Sequence, residues 1–162
     1  MATLTAWKFD DPNEAEEATG VLQDLHDLGL INLIDAAWVT WPPGRRGPKT
    51  HQLHHPTALG AVGGGFFGLL LGLIFFVPIL GLALGAATGA AAFKLTDVGI
   101  DDSFINDVRE KVTPGTSALF ALTDAAVEDP VVPAFSRFHA ELITSNLSAE
   151  QEKNLRETFL TD

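Results

Sequence analysis

At 162 residues the chain is long enough for one domain with a sizeable core. It has no cysteine, which excludes disulfides and thiolate metal sites, and its net charge of −11 argues against nucleic acid as a partner. That charge is uneven: residues 1–41 carry eight acids and one base, residues 97–162 thirteen acids and five bases, and residues 42–96 four bases and no acid.

The opening "MATLTAWKFDD" has neither a basic n-region nor an apolar h-region, so no secretory signal is expected and folding is expected to begin in the cytoplasm. "TLTAWKF" (3–9) is rich in Thr, Trp and Phe and reads as a strand. A helix follows, with Asp11 as N-cap, Pro12 at its first position and Glu14 completing a capping box. Ala15, Ala18, Leu22, Leu25 and Leu28 recur at helical spacing, and Gly29 supplies the stop. "INLIDAAWVTW" (31–41) is a second strand, which completes a β-α-β unit.

Residues 42–56 read as a basic loop holding Arg45, Arg46 and Lys49. Beyond it, Thr57 to Phe93 contains no charged residue, and Pro78 divides it into two expected helices, about 57–76 and 79–95. At 1.5 Å per residue these are about 30 and 25 Å long, near the thickness of a hydrocarbon core. Gly60, Gly64, Gly68 and Gly72 form one row at four-residue spacing, and Gly81, Gly85 and Gly89 form another. Each interior glycine costs a helix roughly 1 kcal/mol relative to Ala, and close helix–helix approach is what recovers it. The seven glycines are therefore expected to carry helix packing and oligomerisation, with Pro78 at the turn. Arg45, Arg46, Lys49 and Lys94 are expected to face lipid head groups, and Trp38 and Trp41 suit either the interface or ordinary core packing. The turn "IFFVPIL" has no polar residue, which keeps open a re-entrant hairpin or one buried in a soluble assembly of many copies, whereas length and the lack of a polar face weigh against burial in the chain's own core.

"DDSFINDVREKV" (101–112) reads as a short helix directing Phe104, Ile105, Val108 and Val112 inward. "TSALFALT" (116–123) is a strand after a Pro114–Gly115 turn. Asp129 and Pro130 start a helix with Val132, Phe135 and Phe138 on one face, and "AELITSN" (140–146) closes a second β-α-β unit. Ser148 to Gln151 forms a capping box for a C-terminal helix with Leu155 and Phe159 as its stripe. The expected fold is α+β: a ferredoxin-like sandwich of one four-stranded antiparallel sheet with helices on one face, assembled from 1–41 and 101–162, with 42–100 an inserted glycine-zipper hairpin.

Chemistry is sparse. His51, His54 and His55 cluster, but no acid or cysteine joins them, so no metal is expected; protonation would add positive charge beside the basic loop. Asp97, Asp101 and Asp102 are explained by helix capping, and His26 and His139 by surface positions. No serine has a nucleophile-elbow context, and "GAVGGG" lacks the Lys-Ser/Thr ending of a phosphate loop. Neither catalytic residue nor cofactor is expected.

Taken together, "TLTAWKFD", "VTWP", the glycine ladder ending in "KLTDVGIDDSFI", "VTPGTSALFAL" and "ELITSNLSAEQE" make the chain resemble the bacterial membrane-protein family catalogued as domain of unknown function 1269. The resemblance runs through almost the whole chain and implies no activity, cofactor or catalytic residue. The expectation is a non-enzymatic, homo-oligomeric, hairpin-anchored protein of the inner membrane with a cytosolic domain and no identified small-molecule ligand. A soluble self-assembling particle with the hairpins inside, or a pore component, is the alternative.

Overall fold

The computed structural model describes residues 3–53, 70, 71, 74, 75, 102–123, 133–135, 137–145, 148–150, 153 and 157. The elements are β1 (Thr3–Phe9), α1 (Glu14–Asp27), β2 (Leu33–Trp41), β3 (Lys49–Gln52), α2 (Asp102–Lys111), β4 (Thr116–Thr123) and β5 (Ala140–Ser145). The strands form one sheet in the order β3-β2-β4-β1-β5, with every neighbouring pair antiparallel. β1 and β2 flank β4 and so run parallel to each other, joined by α1 as a crossover.

Local chemistry fixes the ends of α1. Asn13 is its N-cap and makes no side-chain cap bond. Instead the Asp11 carboxylate accepts from the Asn13 N–H at 2.7 Å, turning the chain just ahead of the helix. The Ala15 N–H, one of the amides a helix start leaves open, donates to the Ser117 hydroxyl on β4 at 3.1 Å, and that hydroxyl donates to the Asp11 carbonyl at 2.6 Å. The capping box therefore yields to a tertiary cap. At the other end Gly29 takes φ +76°, the Gly29 N–H meets the His26 carbonyl and the Leu30 N–H meets the Leu25 carbonyl, both at 3.0 Å. This paired closure is the Schellman arrangement, which favours glycine because L side chains resist that backbone region. Leu28, expected on the inner stripe, ends the helix as C-cap and is 72% exposed.

The sheet has a core on each face. On the first, α1 lays Ala15, Ala18, Leu22 and Leu25 over Trp7, Phe9, Leu119 and Leu142. Phe135 is the hub of this layer, with ring centroids 5.4 Å from Trp7, 6.1 Å from Phe9 and 5.8 Å from Phe138, all edge-on. On the second face, Phe104, Val108 and Val112 from the region of α2 pack with Leu4, Ala6, Val39, Phe120 and Ile143. Leu70, Leu71 and Ile74 complete this second layer at 0%, 3% and 1% exposure.

These observations correct the ferredoxin-like sandwich with an inserted hairpin at three points. The sheet has five strands, because Lys49–Gln52 pairs with β2 as an outer strand where a loop was expected. Its four residues are too few and too polar to show strand periodicity. The chain doubles back through Pro42-Pro43-Gly44-Arg45, where the Arg45 N–H meets the Pro42 carbonyl at 3.3 Å and Gly44 has φ +86°, the type II pattern. Secondly, both faces are covered rather than one. Thirdly, the glycine-zipper hairpin is not among the elements seen, and no helix among the described residues is long and apolar enough to cross a membrane. The part of the apolar run that is described packs on the domain's own sheet instead. Gly60, Gly64, Gly68, Gly72, Gly81, Gly85, Gly89, Pro78 and Lys94 lie outside the described residues. So do Val132, Leu155 and Phe159, although Pro133 and Ala134 are helical, as are Ala149, Glu150, Lys153 and Glu157.

Candidate functional site

The basic loop and β3 build one corner of the sheet. Two Pro-Gly turns meet there: Pro43–Gly44, and Pro114–Gly115, in which the Thr116 N–H meets the Thr113 carbonyl at 3.1 Å and Gly115 takes φ +89°. The Gly115 N–H donates to the Trp41 carbonyl at 2.6 Å, and the Trp41 indole N–H donates to the Arg45 carbonyl at 3.0 Å. The corner is thus held by backbone bonds and the Trp41 indole, leaving the Arg45, Arg46 and Lys49 side chains exposed, with no ion-pair partner among the described residues. Trp38 and Trp41 are half-buried and lie against opposite cores. The exposed His51 ring stacks on Trp38 at 5.2 Å and 19°, and Trp41 meets Phe75 edge-on at 6.3 Å.

This corner offers charge and flat aromatic surface for contact. The β3 edge itself does not invite strand addition, since a four-residue strand carrying an exposed Lys is how sheets discourage edge-to-edge pairing.

His26 and His139 are exposed, as expected, and further polar side chains bond within the fold. His26 Nδ1 accepts from the Leu33 N–H at 3.2 Å and ties α1 to the start of β2, while His139 lies 3.7 Å from Glu14. Buried Thr5 accepts from the Trp7 indole at 3.2 Å, and Thr19 donates to the Ala15 carbonyl at 2.8 Å. Among the described residues no group of three His, Asp or Glu is placed to hold a metal, and His54, His55, Asp97 and Asp101 lie outside them. Sequence reasoning missed Ser117 and β3. The Pro43–Gly44 turn was the available signal for the second, and nothing local announces the first.

A family model described as "Protein of unknown function (DUF1269)" matches residues 61–160. The chain belongs to that family. No curated protein and no solved structure matches the chain. The family match extends from the apolar run through both later strands, so it covers α2, β4 and β5 together with Leu70, Leu71 and Ile74. It carries a statement neither of membrane location nor of activity.

Proposed function

We propose that this member of the family is a non-enzymatic structural protein that assembles with copies of itself in the cytoplasm, its apolar run covered by protein rather than lipid. The observation that supports this reading is the burial of Leu70, Leu71 and Ile74 against the second sheet face. A segment crossing a bilayer must satisfy its backbone within its own helix. Here the Ile74 carbonyl accepts from the Arg109 guanidinium of α2 at 2.9 Å, a bond that belongs to a packed domain. Residues 57–93 carry no charge at all, and an interior shared between copies covers such a run without lipid.

The test is to lyse expressing cells without detergent, wash the pelleted membranes with alkaline carbonate, and weigh the soluble fraction by light scattering. A uniform soluble species of several subunits is the expected result. Protein retained in washed membranes overturns the reading, and a soluble monomer overturns its assembly part.

A further inference from the structure

The outer face of α1 carries features that nothing among the described residues explains. Glu16, Glu17, Asp24 and Asp27 are exposed there and, like the three bases of the corner, have no ion-pair partner among the described residues. Helical spacing puts all four on one side, with Gly20 at the centre of the stripe. Gly20 has an ordinary negative φ, and a Cβ built on it meets nothing within 4 Å among the described residues. Nothing among the described residues therefore requires glycine at this helix-interior position, where glycine is a poor helix former. A bare spot at the centre of an acidic face is what a surface approaching from outside requires. Leu28 and Leu30, at 72% and 58% exposure, border the stripe at the C-terminal end of α1.

The complementary surface is on the same chain. No Lys or Arg occurs between Lys8 and Arg45, whereas residues 42–53 hold Arg45, Arg46 and Lys49 and no acid. Resting on the self-assembly reading above, we propose that the basic corner of one copy docks on the acidic outer face of α1 of a second copy, over Gly20. Repeated from copy to copy, the contact is head-to-tail and closes into a ring, the uniform species of several subunits expected above. Its charges set registry and make it salt-sensitive, while Leu28 and Leu30 against the aromatic corner supply apolar area.

A charge swap tests this. Arg45→Glu/Arg46→Glu/Lys49→Glu gives two acidic patches, and Glu16→Lys/Glu17→Lys/Asp24→Lys gives two basic ones. Each triple variant alone is expected to raise the self-association Kd at least tenfold by analytical ultracentrifugation, and a mixture of the two is expected to restore assembly. Circular dichroism confirms folding of each. Should either variant fail to fold, two measurements on folded protein decide. The neutral Gly20→Gln must weaken association without changing the fold, and the wild type must dissociate between about 50 and 500 mM NaCl as screening shortens. A wild type that assembles while the folded variants assemble equally well overturns this contact alone. Absence of restoration on mixing, or indifference of assembly to both salt and Gly20→Gln, also overturns it. A wild type monomeric at every salt concentration overturns the self-assembly reading and this contact with it.

Discussion

Replacing Ile74 by Ala separates an apolar run that packs on its own domain from one that faces lipid or solvent. Ile74 is 1% exposed among Val39, Phe120, Phe104 and Val108 on the second sheet face. The substitution removes three carbon groups, worth about 2.4 kcal/mol at about 0.8 kcal/mol each. The unfilled space adds to this, because strands on one side and α2 on the other hold the walls apart; the sum is about 3–4 kcal/mol. The Arg109 bond to the residue 74 carbonyl survives, since it uses backbone, so the loss reports packing alone. For a chain of this size the same loss lowers Tm by roughly 6–15 °C. Urea unfolding followed by far-ultraviolet circular dichroism measures it as a lower midpoint at unchanged slope. Glu110→Ala, at an exposed position of α2, is the control and should stay within about 0.5 kcal/mol. An Ile74→Ala protein as stable as the control would refute the placement of Ile74 in the domain's core.

Four further outcomes follow from the geometry. Phe135→Ala removes the hub of the aromatic layer on the first face and should cost about 3–5 kcal/mol in the same urea assay. Ser117→Ala leaves the Ala15 N–H without its buried acceptor and should cost about 1–3 kcal/mol, with loss of hydrogen-exchange protection at the start of α1. Gly115→Ala should destabilise by about 1–2 kcal/mol from backbone strain alone, since its new methyl meets only Pro43 at an ordinary 3.8 Å; an unchanged midpoint would contradict the φ of +89°. Gly20→Ala, in an ordinary helical position with open space around it, should raise the stability of dispersed protein by about 1 kcal/mol.

Much of the architecture was readable because periodicity and turn residues act locally. β1 and β4 occupy the residues that their Thr, Trp, Phe and Leu content marked, and Gly29 ends α1 through the closure its position implied. Phe104, Val108 and Val112 face inward as their spacing required. What escaped is what distant parts of the chain supply to each other. The cap of α1 comes from Ser117, 102 residues beyond the amide it serves, and no spacing rule reaches that far. Asp11 turned out to shape the approach to the helix rather than its first turn. Of the basic residues marked as a surface group, Arg45, Arg46 and Lys49 do gather at one exposed corner, but through a type II turn and an outer strand instead of a loop.

The reading of the apolar run turned on a signal present elsewhere, in β4. An antiparallel strand with one wet face alternates apolar and polar residues, whereas a strand covered on both sides reads as an unbroken apolar run. "TSALFALT" does not alternate through its centre: Ala118, Leu119, Phe120 and Ala121 are all buried, with Ala118 and Phe120 toward one core and Leu119 and Ala121 toward the other. The same holds for Ala36, Ala37 and Val39 on β2. A sheet of that composition requires apolar cover on its second face, and α2, ten residues long with polar or charged residues at seven positions, covers only part of it. The run from Thr57 to Phe93 is the largest apolar supply in the chain, and Leu70, Leu71 and Ile74 are drawn from it onto that face. Judged by its own composition the run resembles a bilayer segment; judged by what the sheet lacks, it is a source of core, and Leu70, Leu71 and Ile74 serve as such.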